Sequence, residues 1–89
     1  MVRVSFTKAL ERFVPCPAQN VEGATLREAL DQAFQALPRV RGYILDEQGA
    51  VRYHVAIFVD GQPVQDRKHL SDSVAPNGEI YVMQALSGG

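Results

Sequence analysis

An 89-residue chain that is 46% hydrophobic has the size and composition of one small domain with a single core, and is too apolar for a disordered segment. Nine Lys and Arg against ten Asp and Glu leave a net charge of −1, without the basic footprint of a nucleic-acid binder. Cys16 is the only cysteine, which excludes a disulfide, a thiolate zinc site or an iron–sulfur cluster held within this chain.

Val2, Val4 and Phe6 alternate with Arg3 and Ser5, the period-2 pattern of a strand with one buried face. Residues 7–13 read as a short polar connection anchored by Leu10 and Phe13. Residues 16–21 suggest a second, short strand, and Pro15 and Pro17 on either side of Cys16 place it at a sheet edge. The clearest element follows. Thr25-Leu26-Arg27-Glu28 is a capping box, in which the Thr25 hydroxyl accepts from the Glu28 amide and the Glu28 carboxylate accepts from the Thr25 amide. Leu26, Ala29, Leu30, Ala33, Phe34 and Leu37 then recur at spacings of three and four, one stripe of an amphipathic helix of about three turns that Pro38 stops.

Beyond the helix, residues 42–45 read as a strand and residues 46–49 as a polar turn. The longest strand signal covers residues 50–59. It puts Val51, Tyr53, Val55, Ile57 and Val59 on one face and Arg52, His54, Ala56 and Phe58 on the other. Asp60-Gly61 is a hairpin turn leading to a short strand near Pro63-Val64. Residues 70–74 read as a single helical turn, Pro76-Asn77-Gly78 as a turn, and residues 79–85 as the last strand. There Ile80 and Val82 point one way, Tyr81 and Met83 the other. One helix among about five strands can bury its stripe only against a sheet face, which predicts an α+β roll with the helix crossing the sheet.

The sequence closes on Leu86-Ser87-Gly88-Gly89. Lacking Cβ atoms, Gly88 and Gly89 can lie extended in a narrow channel and present a terminal carboxylate to another enzyme's active site. The plain alternative is a frayed end.

Four stretches carry a family resemblance. They are the strand at residues 2–6; Val21-Glu22-Gly23-Ala24-Thr25-Leu26-Arg27-Glu28-Ala29-Leu30, similar to a "V-x-G-x-T-L-R-E-L-L" helix start; Phe58-Val59-Asp60-Gly61-Gln62-Pro63-Val64; and the closing strand with its Gly-Gly. Together they resemble the ubiquitin-like β-grasp superfamily, and more closely its sulfur carriers of the molybdopterin-synthase small-subunit and thiamine-biosynthesis type (MoaD/ThiS). The resemblance implies one β-grasp domain over residues 1–89, a mixed sheet of about five strands with one helix packed across one face, and a flexible tail at about 86–89. It implies a carrier and not an enzyme. An E1-like enzyme would adenylate Gly89 with ATP, and a sulfur donor would convert the adenylate to a thiocarboxylate whose sulfur passes to an acceptor. Gly88 would keep the approach unhindered. No cofactor is then expected to stay bound, ATP belonging to the activating enzyme. The expected partners are that enzyme, the sulfur donor and a larger synthase or acceptor enzyme. The ending departs from the "P-P-V-(A/S)-G-G" common in the molybdopterin type, and residues 43–59 run longer than in thiamine-type carriers, so the pathway and the acceptor stay open.

Activation needs a docking surface. With the long strand beside the closing strand, His54, Phe58, Tyr81 and Met83 would share the open sheet face; with Leu86 on the tail they are the candidate docking residues. The plain alternative is that they merely cover the sheet. His54 and His69 lie in different segments without a nearby cysteine, so no metal site is expected, and Cys16 reads as a packed thiol. Residues 66–69 read as a solvated turn. Two readings stand beside the sulfur carrier: a ubiquitin-like modifier conjugated through Gly89 to lysines, and a non-catalytic β-grasp interaction domain with an incidental Gly-Gly. With no signal-peptide core or membrane-length apolar run, a cytoplasmic protein with neither membrane nor nucleic-acid partner is expected.

Overall fold

The central helix begins at a double cap. Thr25 Oγ1 accepts from the Glu28 amide at 3.3 Å, as the capping box predicts. The reciprocal bond is displaced by one residue: Glu28 Oε1 accepts from the Ala24 amide at 2.9 Å and not from Thr25. Gly23 leaves room for this turn, because a Cβ there would stand 2.7 Å from the backbone nitrogen of Ala29. The amides of Leu26 and Arg27 donate to the Asp72 and Leu70 carbonyls, so the first turn of the helix is satisfied by a distant loop as well as by its own cap.

The computed structural model describes residues 1–84. Its elements are β1 (Val2–Phe6), α1 (Lys8–Glu11), β2 (Gln19–Val21), α2 (Leu26–Ala36), α3 (Pro38–Ile44), β3 (Val55–Val59), β4 (Gln62–Pro63) and β5 (Glu79–Gln84). The strands form a five-stranded mixed sheet in the order β2-β1-β5-β3-β4. β1 and β5 pair in parallel at the centre, Val4 opposite Ile80, and the other pairs are antiparallel. Val2, Val4, Phe6, Val55, Ile57, Ile80 and Val82 bury one face of this sheet in a single cluster with the α2 stripe Leu26, Ala29, Leu30, Ala33 and Phe34. Each large aliphatic side chain in it contributes about 1.5–3 kcal/mol relative to exposure. Asp60 and Gly61 both have positive φ, 50° and 81°, the pattern of a type I′ turn, and they connect Val59 directly to its partner Gln62. β2 is an outer strand, as its prolines predict.

Pro38 does stop α2, which closes at Leu37, but it also opens α3 at the position where its missing N–H costs nothing. Four expectations are overturned. The expected strand at residues 42–45 is therefore helix through Ile44, with Val40 and Ile44 buried one turn apart and only a single bridge, Leu45 to Val51, left of the strand. The expected ten-residue strand at 50–59 is strand only from Val55. Tyr53 and His54 form a turn, and two carbonyls there, those of Arg52 and Val55, accept from Arg67 Nη2 at 2.7 Å each. Residues 70–74 are not helical. Leu70 has φ +57°, and Ser73 bridges to Thr25 because this segment lies extended against the start of α2. Lastly, the connection at residues 7–13 contains α1. Leu10 anchors it fully buried, but Phe13 is 58% exposed and stacks on Tyr43 of α3 with ring centroids 6.3 Å apart.

Candidate docking face

β5 is the middle strand, so its two faces carry the two halves of the problem. Ile80 and Val82 are buried beneath it, while Tyr81 and Met83 are 42% and 36% exposed on the open face. Register places Tyr81 opposite both Phe58 of β3 and Ser5 of β1, Phe58 opposite Pro63, and Met83 opposite Ala56. A row Ser5–Tyr81–Phe58–Pro63 thus crosses four strands, with Met83 and Ala56 alongside it one step nearer the C-terminus. The Tyr81–Phe58 pair is a directly opposed aromatic pair of the kind that stabilises a sheet face.

The face changes character along β5. At its start Glu79 lies opposite Arg3, and Asp60 Oδ1 accepts from the Glu79 amide at 2.8 Å. Towards its end the exposed residues are Tyr81 and Met83, so the surface turns apolar towards the C-terminal end of β5. That end is held firmly. The Thr7 amide donates to the Val82 carbonyl at 3.1 Å, Thr7 Oγ1 accepts from the Gln84 amide at 3.5 Å, and Gln84 lies opposite Val55. Gln84 Oε1 is buried without a hydrogen-bond partner among the described residues.

Of the candidate docking residues, the structure brings together Phe58, Tyr81 and Met83. His54 stands one residue before β3, half-buried, its ring edge-on to Tyr53 at 5.3 Å. Leu86, Gly88 and Gly89 lie outside the described residues, as does the last residue of the expected closing strand, Ala85. Cys16 is a buried free thiol whose pKa is raised by burial and then by the Glu11 carboxylate, which suits packing and not nucleophilic chemistry. No cluster of metal-ligating side chains occurs among the described residues, and no helix there is long and apolar enough to cross a membrane.

The turn at 66–69 is more than solvated. The Asp66 carboxylate accepts from the His69 amide at 2.9 Å and from the Ser71 hydroxyl and amide, while Asp72 accepts from the amides of Gln65 and Asp66. The Ser71 hydroxyl and then the His69 amide hold the Asp66 pKa down to about 2. Sequence reasoning also missed the exposed Phe13–Tyr43 stack. Its partners are thirty residues apart in sequence and meet only through the packing of two short helices.

No family model matches this chain, and no curated protein matches its sequence. Solved structures do. The chain is similar to one in the BexX/CysO complex of Amycolatopsis orientalis, with 18% identity over 100% of both chains and a TM-score of 0.83. It is similar to SAMP1 of Haloferax volcanii, with 21% identity over 99% of this chain and 98% of that one and a TM-score of 0.78. Mycobacterium tuberculosis CysO, described as an antigen, is 18% identical over 97% of this chain and 100% of its own, with a TM-score of 0.80. Identity this low establishes likeness of fold. With its five-stranded mixed sheet closed by a central parallel pair and crossed by α2, the chain has the ubiquitin-like β-grasp fold.

Proposed function

We propose that this protein is a sulfur carrier whose C-terminal Gly89 is adenylated by an E1-like enzyme and converted to a thiocarboxylate. The observation that carries this reading is the apolar row on the open face of β5, the last strand before Gly88-Gly89 in the sequence. A partner resting on Tyr81, Phe58 and Met83 would be aligned with the strand that leads into its active site. A Gly89 carboxylate oxygen attacks the α-phosphorus of ATP on the partner and pyrophosphate leaves. Hydrosulfide then attacks the acyl carbon, AMP leaves, and the thiocarboxylate remains after loss of a proton. The carrier's own part is to dock and to present an unhindered end. ATP and the sulfur donor belong to partner enzymes, and a larger synthase or acceptor enzyme takes the sulfur.

Intact mass after incubation with the E1-like enzyme of the same organism, ATP and sulfide tests the proposal. The expected product gains the mass of one sulfur replacing one oxygen, mapped to Gly89, and deletion of Gly89 abolishes it with the fold retained. No mass change with a competent enzyme, or full activation of the truncated chain, would falsify it. A second reading, a modifier joined through Gly89 to lysines of other proteins, is favoured by the name of one structural neighbour, small archaeal modifier protein 1 of Methanosarcina acetivorans. Adducts on lysine would select that reading.

A further inference from the structure

We propose that the end of the domain formed by α1 and α3 is a second docking surface, which takes a protein partner through an acidic segment carrying an apolar anchor residue. The inference goes beyond the tail chemistry and does not depend on it. Val14 and Pro15 face Leu37, Pro38 and Val40 across an apolar groove of about 220 Å³, with Arg39 on its lining. That volume is below the roughly 300–1,000 Å³ of sites that enclose small molecules, and suits a single anchoring side chain. Tyr43 follows Arg39 by one helical turn on the same side of α3 and stacks on Phe13, and both rings are exposed, at 38% and 58%. Two proline rings and a stacked aromatic pair lose little conformational freedom when a partner covers them.

Charge selects the partner. Lys8, Arg12, Arg39 and Arg41 are exposed on these two segments against the one carboxylate of Glu11, a local net charge of +3 on a chain whose total is −1. An acidic segment meets attraction at this end, while its apolar residue fills the groove. A long polyanion such as RNA would also meet the net negative charge of the rest of the domain, which disfavours it. The surface starts beside the C-terminal end of β5, since Thr7, whose hydroxyl accepts from the Gln84 amide, immediately precedes α1. Its groove shares no residue with the Tyr81–Phe58 row, so amide shifts tell the two surfaces apart.

The test is a titration of the full chain with a labelled peptide in which Glu alternates with Leu and Phe, followed by fluorescence anisotropy and by amide chemical shifts. We expect saturable binding that weakens with added salt, with shifts centred on Val14, Leu37 and Tyr43. R39E/R41E should weaken it by about tenfold or more. F13S should weaken it as well, and because Phe13, Arg39 and Arg41 are exposed, both variants should keep the wild-type spectrum elsewhere. Absence of binding, equal binding of the Gln-for-Glu peptide or by R39E/R41E, shifts confined to the β3–β5 face, or tighter binding of a single-stranded RNA would each overturn the proposal.

Discussion

Across β2, β1, β5 and α2 the chain is held by buried apolar side chains, whereas the loops at 45–54 and 64–74, which anchor Leu45, Val51, Val64, Leu70 and Val74 in the same core, have their backbone held by charged side chains as well. Arg27 donates to the His69 and Gly49 carbonyls, Arg52 to Gly42, and Arg67 to Arg52 and Val55; Asp46, Asp66 and Asp72 accept from amides in the same two loops. These segments pair with few strands, so their backbone groups need side chains as partners. Apolar burial is shared among many neighbours, but each staple is one residue. The sheet half should therefore fail globally and in proportion to volume removed, and the loop half locally and one side chain at a time.

The largest effect is expected at Leu30, which is fully buried on α2. Leu30→Ala should cost about 2–5 kcal/mol in urea or thermal unfolding, with protection lost from amides throughout the domain. A cost below about 1 kcal/mol would mean that the cavity collapses and that α2 is not the keystone of the core. Next comes Arg67→Ala. It removes the charged donor from two carbonyls and leaves that of Arg52 with the Val55 amide alone, and hydrogen bonds to a charged donor contribute about 1.5–3 kcal/mol. The comparison is sharpened by where protection is lost: amides of residues 51–56 should exchange faster while those of β1 and β5 keep their rates. Arg67→Lys should recover only part of the loss: Nη2 alone meets both carbonyls, and an ammonium on a flexible, more strongly hydrated stem is held there less firmly than a rigid guanidinium. Uniform loss across the sheet would erase the distinction between the halves.

Thr25→Ala lies on the boundary between the two regimes. Loss of its cap bond should cost about 1 kcal/mol. The Leu26 and Arg27 amides stay bonded to Asp72 and Leu70, so fraying should be confined to the first turn of α2. If the 70–74 loop loosens as well, the cap and the loop form one unit.

The same division governs how much was legible beforehand. Alternation located β1 and both faces of β5 because every residue there pairs or buries in register, and Asp60-Gly61 marked its hairpin because both positions need positive φ. The α2 stripe and its Thr25 cap are local signals and were equally readable. At residues 50–54 the alternating pattern continues although no neighbouring strand is there to receive it. What replaces the neighbour is Arg67, and a guanidinium donating to distant carbonyls leaves no periodic trace. Tyr53, aligned by pattern with Val51 and Val55, is consequently 93% exposed. Pro38 carries two local meanings, a stop for one helix and a first position for the next; both hold, and the second depends on the burial of Val40 and Ile44. On the candidate face, Phe58, Tyr81 and Met83 followed from alternation, whereas His54 was assigned by extending a strand that begins only at Val55.

The smallest effect separates the halves by pH. Asp66 titrates at about 2 in the folded chain against an ordinary 3.8, so the folded loop binds its proton less readily than the open chain does. Its contribution is complete above about 3.8 and is lost as pH falls through about 2, the direction expected of a carboxylate held by donors. Because the bonds that Asp66 makes all lie within its own loop the effect should be local: the amide resonances of His69 and Ser71 should shift with a midpoint near 2, separately from any change in β1. Asp66→Asn should remove that transition and leave the loop already loosened at neutral pH, since an amide lacks the charge that holds three donors at once. A midpoint near 3.8 in the wild type, or concerted acid unfolding of loop and sheet, would show that Asp66 does not govern the loop separately from the core.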